Sequence, residues 1–492
     1  MKITNFCCLA ATVALTAACS ADWNDHYNSS TAAEENLMEL IAADGELSEF
    51  SQLLKATGYD KVLAGEQTYT VWAPKQGGAA LLTADADVQL RTVRNHIARY
   101  TFPTSTSPET RITLLNGKTV AYDAADSFEG IHLTTGNIAA QNGLLHKMDG
   151  MLTYRYNLRE YIDTHEECQK MSRFLTQFDE KKYSEELSTS YDSVFVNYNA
   201  LLNHVKYGVG DIANEDSTST MVIADDAAWQ SAYDRLAPAF MHFATDQAAA
   251  DSIQRVQTEQ TIFRALTSRE LKPEALGHYS EEEASNGAIF LAQGVIADID
   301  TCLTHRVLVV EAEDMDGRAS LSGTNAYIRN TDINSAVQQI GNSSYLEVSS
   351  GNVDGGVTFD VPNVLAQTYD VYVDFVSPII DGEALSEQKT KVTFQLRYMN
   401  AQGKTSVSNN NTATQIDATG DGIISVKAFS AVAFPVADFY DELWRSVEGH
   451  SLSDNAVSTT LQVKTKVTST DARNGYERIF RIDRIRFVPV TK

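Results

Sequence analysis

The sequence predicts a multidomain α+β protein, with mixed α/β folding up to residue 304 and an antiparallel β-sandwich of jelly-roll type from residue 305 onward. Three observations predict it. Apolar residues at helical spacing alternate with short strand-like runs through the first part of the chain. After His305 helical periodicity largely vanishes, and Thr, Val, Ser, Asn and Asp dominate short runs separated by turns. The length of 492 residues, 43% hydrophobic, corresponds to roughly three domains at about 150 residues each. Apolar content of that order excludes wholesale disorder.

Charge narrows the class of partner. Lys+Arg total 39 against Asp+Glu 65, a formal net charge of −26. No Lys/Arg-rich run offsets this balance, and an acidic surface repels phosphate backbones. Nucleic acid is therefore excluded as an expected partner.

The N-terminus reads as an address. Lys2 is a short basic start, Phe6 to Leu15 are apolar, and Thr16-Ala17-Ala18 are small residues before Cys19. The apolar stretch is too short to span a bilayer, so residues 1–18 read as a signal peptide. Leu15-Thr16-Ala17-Ala18-Cys19 resembles the lipobox of a bacterial lipoprotein, with Thr16 where such motifs prefer Leu. That resemblance implies lipidation of Cys19 and anchoring at a membrane without a transmembrane helix. Ser20-Ala21-Asp22-Trp23-Asn24-Asp25-His26-Tyr27 resembles the acidic start of surface-exported lipoproteins of Bacteroidetes-type bacteria. It implies an outer-membrane, cell-surface location. Residues 19–34 read as a tether. Cys7 and Cys8 leave with the signal, so Cys168 and Cys302 remain, either as a disulfide or as two separate thiols.

The first domain is expected over residues 35–155. Leu37, Leu40, Ile41, Leu47, Phe50, Leu53 and Leu54 fall at helical spacing, and Gly58 sits where a helix stops. Thr68–Ala73 reads as a buried strand ended by Pro74, followed by a helical stretch around Val88–Ala98. Strand-like runs follow at Arg111–Leu115, Lys118–Tyr122, Ile131–Thr134 and Leu144–Met148, with Asn116-Gly117 as a hairpin signal. This order resembles a fasciclin domain, an adhesion module of mixed α/β type. The resemblance rests on Leu53-Leu54-Lys55-Ala56-Thr57-Gly58, on Tyr69-Thr70-Val71-Trp72-Ala73-Pro74, on His96, and on Asn142-Gly143-Leu144-Leu145-His146-Lys147-Met148-Asp149. His96 and His146 are expected to be structural, since no metal-ligand spacing surrounds them.

The same order recurs over residues 156–304. Leu158–Ile162 and Met171–Phe178 are helical. Ser219-Thr-Met-Val-Ile-Ala224 resembles the first box, with Ile223 matched to Trp72, and Asn286-Gly287-Ala288-Ile289-Phe290 resembles the closing box, with Phe290 in place of the histidine. A second, degenerate fasciclin-like domain is expected, the alternative being a helical spacer.

Residues 305–492 contribute strands at Arg306–Ala312, Ser344–Val348, Gly356–Phe359, Asp370–Val376, Lys391–Tyr398, Thr459–Val467 and Phe480–Val488. Glu311-Ala312-Glu313, Tyr345-Leu346-Glu347-Val348, Thr368-Tyr369-Asp370-Val371-Tyr372-Val373 and Ile482-Asp483-Arg484-Ile485-Arg486-Phe487 are faintly similar to carbohydrate-binding modules. That likeness implies a sandwich able to bind glycan, and calcium held through Glu311, Glu313 or Asp483. Asp417-Ala-Thr-Gly-Asp-Gly422 reads better as a hairpin turn than as a calcium loop, because Ala428 stands where a bidentate Glu is needed.

Catalytic patterns are wanting: GxSxG, HExxH, P-loop and GxGxxG are all missing. Glu281-Glu282-Glu283 are adjacent and cannot flank a glycosidic bond. Sugar binding needs an aromatic platform beside polar groups. Tyr440 and Trp444, with Asp441 and Arg445, are the candidate ligand-binding residues. The same stretch also fits a short amphipathic helix packed on the sandwich. No catalytic residue and no metal site is assigned. The expected function is a non-catalytic, surface-anchored adhesion or binding scaffold. The alternative is an accessory glycan-binding lipoprotein working with an outer-membrane nutrient importer of starch-utilisation type.

Overall fold

A computed structural model describes residues 34–104, 110–123, 126–183, 195–204, 208–243, 247–268, 271, 276–296, 304–331, 340–377, 379–380, 383–384, 389–417, 422–438 and 458–490. Its contacts divide the chain into two compact units. One runs to Glu160 and adds Ala213–Ser219 and Glu283–Gly287; the other holds Tyr161–Ile212, Thr220–Glu282 and the chain from Ala288. The second and third segments expected from sequence thus fall largely within one unit. Backbone bonds from Ala366 to the Ala239 carbonyl (2.8 Å) and from Ala437 to the Met241 carbonyl (2.7 Å) tie them together.

In the first unit, helices α1 (Leu37–Ala43), α2 (Ser48–Ala56) and α3 (Tyr59–Leu63) precede strand β1 (Tyr69–Pro74). Asn36 opens α1 with a reciprocal capping box to Glu39, and Gly58 separates α2 from α3 at φ +76°. Helix α4 (Ala86–Arg94) ends earlier than the apolar pattern suggests, because Ile97–Arg99 form strand β2 against β1. The edge of β1 needs hydrogen-bond partners, and that tertiary demand outweighs local helical periodicity. Strands β3 (Thr110–Thr113), β4 (Thr119–Asp123), β5 (Ser127–Phe128), β6 (Ile131–Ala140) and β7 (Gly143–Met148) complete a seven-stranded sheet ordered β2-β1-β7-β6-β5-β4-β3. Strands β1 and β7 pair in parallel at its heart. Alternation sorts their side chains onto two faces. Val71, Ala73 and Leu145 join Phe50, Leu53 and Leu54 of α2, while Trp72 and Met148 pack with Tyr122 and Phe128.

Helices α5 (Leu158–Thr164) and α6 (Gln169–Thr176) follow, with the hairpin β8 (Asp179–Tyr183) and β9 (Phe195–Asn199). Strands β10 (Ser219–Ala224), β11 (Tyr279–Ala284) and β12 (Gly287–Ala292) form a three-stranded sheet ordered β10-β12-β11, with helices α7 (Asp226–Leu236) and α8 (Gln247–Leu266) between β10 and β11.

One latch occurs twice. Asn142 accepts from the Leu37 amide at 2.9 Å and donates to the Leu63 and Gly65 carbonyls, while its own carbonyl takes the Tyr69 amide. Asn286 accepts from the Leu158 amide at 2.9 Å and donates to the Asn214 carbonyl, and its carbonyl takes the Ser219 amide. Glycine follows in both copies because a Cβ would lie 1.8 Å from the Tyr69 oxygen at Gly143 and 1.7 Å from the Ser219 oxygen at Gly287. The second copy of the latch ties β10 and β12 to the start of α5. It also corrects the alignment read from sequence. With Ser219 in the place of Tyr69, Val222 rather than Ile223 takes the place of Trp72. Phe290 does occupy the position of His146.

The C-terminal region is a sandwich of two antiparallel sheets. One is ordered β14 (Arg318–Ser320), β17 (Gly356–Asp360), β24 (Thr460–Thr465), β21 (Thr390–Met399) and β22 (Thr405–Ile416). The other is ordered β15 (Thr324–Asn330), β16 (Ser344–Ser350), β25 (Ile479–Pro489), β18 (Thr368–Val376) and β23 (Ile423–Ala433), with β13 (Leu308–Glu311) also pairing β25. A ribbon of β19 (Ile379–Ile380) and β20 (Glu383–Ala384) and a short helix, α9 (Ser469–Arg473), lie outside these sheets. Phe359, Val373, Phe375, Phe394, Leu461, Ile482 and Phe487 fill the space between the layers. Residues 418–421 lie outside the described residues, but β22 and β23 on either side belong to different sheets. The hairpin turn expected at Asp417–Gly422 falls on these residues.

Candidate functional site

Three places gather polar chemistry. The first is the interior of the first unit. His96 donates from Nδ1 to the Trp72 carbonyl at 2.9 Å and accepts from the Leu152 amide at Nε2, 3.2 Å away. His146 donates from Nε2 to the Phe102 carbonyl at 3.0 Å and accepts from the Asn137 amide at Nδ1, with Trp72 stacked on its ring. Both nitrogens of each ring are engaged, and burial holds each pKa down at about 4. The rings are neutral structural members, as expected from sequence. Nearby, the Lys118 ammonium meets Glu160 and Glu215 at 2.6 Å each and the Ser285 hydroxyl at 3.0 Å, using all three of its N–H donors. A cavity of about 200 Å³ beside it is lined by Arg111, Arg155, Glu129 and Asn95. Its cations are partly spent, since Arg155 pairs with Glu129 at 3.2 Å.

The second place is an acidic group on β25, between its pairing with β16 and its pairing with β13. Between Phe375–Ile482 and Asp374–Arg484 the register of β18 and β25 slips, which leaves Asp483 as the extra residue of a β-bulge. The bulge turns this side chain into the protein, where it is fully buried. Its Oδ1 accepts from the Gly341 amide at 2.8 Å. The second oxygen, Oδ2, has no hydrogen bond, and neither does Oε2 of Glu311 or Oε2 of Glu313. Burial, then Glu313 and Asp483, push the Glu311 carboxyl above its ordinary range; burial is likewise the chief cause that raises Asp483, with Asp374 and Glu313 adding to it. Arg484 approaches Asp483 at 3.4 Å. Among the described residues no three His, Cys, Asp or Glu side chains stand as a ready metal site. The glutamate Oε2 atoms without a hydrogen bond nevertheless suit a hard cation in their chemistry, whereas Oδ2 of Asp483 already faces Arg484.

The third place is the outward face of the five-stranded sheet. Inward residues Phe359, Leu461 and Leu396 alternate with outward Thr358, Thr460, Gln462 and Arg397. Register sets Thr358 beside Gln462 and Thr460 beside Arg397. Thr358, Arg397, Thr405, Ser458, Thr460 and Gln462 line an open cavity of about 360 Å³. Asp438 binds the far end of the intervening segment, its Oδ2 accepting from the Ser458 amide (2.9 Å), the Ser458 hydroxyl (3.1 Å) and the Thr459 amide (2.6 Å).

Tyr440, Asp441, Trp444 and Arg445 fall inside that segment and lie outside the described residues, as do Cys19 and Cys302. Cys168 is a free, buried thiol whose pKa is raised to about 12 by burial. Glu281, Glu282 and Glu283 are exposed on strand β11. The cavity has no aromatic lining residue, and its hydroxyls and amide are spread over β17, β22 and β24 and Ser458 just before it, so they form no compact sequence motif. A trace of it is present in the polar alternation of Thr460-Leu461-Gln462-Val463.

Residues 45–154 match the Fasciclin domain family. The chain is therefore an α+β protein with a mixed α/β fasciclin domain followed by a sheet-rich region of antiparallel strands. Among solved structures it is similar to the CBM22-1 xylan-binding domain of Paenibacillus barcinonensis Xyn10C, at 12% identity and a TM-score of 0.23, covering 38% of this chain and 99% of that one. It is also similar to a FAS1 domain pair from the insect cell adhesion molecule fasciclin I, at 11% identity and a TM-score of 0.21, covering 50% of this chain and 95% of that one. A search of curated proteins finds no match.

Proposed function

We propose that this chain is a non-catalytic, lipid-anchored binding protein of the bacterial outer surface, with adhesion through its fasciclin domain and glycan capture on its sandwich. The observation that carries the glycan element is the polar cavity on the five-stranded sheet, whose hydroxyl and amide groups offer both donors and acceptors to sugar hydroxyls. Cys19 and the acidic leader after it support the anchor. Among the described residues no helix is long and apolar enough to cross a membrane.

Two measurements test this. Cys19→Ala should move the protein from the membrane to the soluble fraction, and external protease should cut the wild type on intact cells. Retention of the variant on membranes would defeat the anchor. A polysaccharide panel should give at least one binder, and a chain that binds none would defeat glycan capture. Recovery of an outer-membrane importer on pull-down would favour the nutrient-uptake variant of this role over adhesion alone.

Calcium belongs to the same proposal. Glu311, Glu313 and Asp483 would hold it, and its charge would offset the buried Asp483 carboxylate and the two half-buried glutamates. At a hundred times its Kd, calcium should add about 3 kcal/mol to stability, read as a rise in the melting temperature. Asp483→Asn should abolish that rise. Equal melting in calcium and in EDTA would end the assignment.

A further inference from the structure

We infer that the cavity on the five-stranded sheet takes a uronic-acid residue of an otherwise neutral polysaccharide, its carboxylate meeting Arg397. This rests on the glycan-binding proposal and names the chemistry of the sugar. The chain carries far more acids than bases, and guanidinium groups on the other sheet are paired with them. Arg329 and Arg481 share Glu347, and Arg484 and Arg486 share Asp374. Arg397 is different: among the described residues it has no ion pair. Its Nε donates to the Gln395 side chain at 3.0 Å, and Gln395 is itself held to Asn409 at 2.7 Å. That ladder braces one edge of the guanidinium and leaves its terminal N–H groups available to a carboxylate.

The remaining lining is uncharged. Thr358, Thr405, Ser458, Thr460 and Gln462 present hydroxyls and an amide, and Gln462 is oriented by a 2.9 Å bond to Thr358. A volume of about 360 Å³ is at the lower end of the roughly 300–1,000 Å³ of small-ligand sites. Two acids stand beside the rim: Asp438 has its Oδ2 filled by the three bonds from Ser458 and Thr459, and Asp360, across from Thr460, has its carboxyl pushed above the ordinary range by burial and by Asp438. A net charge of −26 opposes a dense polyanion at long range. The fitting ligand is thus a glycan with isolated uronates among neutral sugars.

The test uses the full-length chain and a tetrasaccharide of three neutral hexoses and one glucuronate, beside the same molecule with its carboxyl reduced to the alcohol. Calorimetry should show the acid form binding at least about tenfold tighter, the worth of one charge-assisted contact. Arg397→Gln should erase that preference and Arg397→Lys should restore part of it, with melting curves matching the wild type. Equal affinity for the two forms, or a preference that survives Arg397→Gln, overturns the inference while leaving glycan binding intact. If neither form binds but a neutral panel does, the inference also falls alone. If nothing in the panel binds, it falls together with the proposal beneath it.

Discussion

Replacing Lys118 by methionine is expected to destabilise the first unit by about 3 kcal/mol. The Lys118 side chain is 4% exposed and holds Glu160 and Glu215 at 2.6 Å each. Methionine keeps the length of the stem but leaves two carboxylates facing one another without a cation. Glu160 is 37% exposed, so water relieves part of the repulsion, which keeps the figure at the lower end for a broken buried pair. Hydrogen exchange along strand β4, compared with the wild type in urea, reads the effect. Adding Glu215→Gln to Lys118→Met should recover part of the loss, because the second change removes one uncompensated charge. A single variant within about 0.5 kcal/mol of wild type would place Lys118 among ordinary surface lysines.

Acid should weaken the same unit in a defined window. His96 and His146 have folded pKa values of about 4 against 6.5 for the free side chain. The unfolded chain therefore binds protons that the folded one refuses, so stability rises with pH between these limits. It is fully present above about 6.5 and is lost as pH falls toward 4, by about 3 kcal/mol for each histidine. Most of that range lies above the ordinary carboxylate titration, so the histidines dominate it. Exchange at β1 should accelerate steadily from pH 6.5 to 4.5. His146→Phe, which copies the residue at Phe290, should halve the pH dependence. Protection at β1 that is flat across this interval would show that the rings take up protons without cost.

Much of the fold was legible because its signals are local. Gly58, Asn116-Gly117 and Asn142-Gly143 mark chain reversals through backbone freedom, and they sit at φ +76°, at φ +85° for Gly117 and at φ +150° for Gly143. The Tyr69–Pro74 strand and the helices before it follow from apolar spacing alone. Errors arose where a distant strand competed with local preference. The end of α4 gave way to pairing of β2 with β1, and the one-residue slip at Val222 was visible only through the Asn286 latch.

The candidate sites were legible in unequal measure. A family resemblance points to Glu311, Glu313 and Asp483, yet nothing local to Asp483 announces the bulge that buries it. Such a bulge exists only in the register between β25 and β18. Arg397 drew no notice in sequence, because an arginine in a polar strand is unremarkable until its neighbours prove to be Thr460, Gln395 and Val407.

Lys118 illustrates the division most plainly. Composition, spacing and turn chemistry determined by themselves that the chain is acidic and that mixed α/β folding gives way to a sheet-rich region. The partners of Lys118 lie 42, 97 and 167 residues away. Only the tertiary structure could decide that they meet. Periodicity reports which face of an element is apolar, whereas the pairing of buried charges and the lining of a cavity depend on which elements become neighbours.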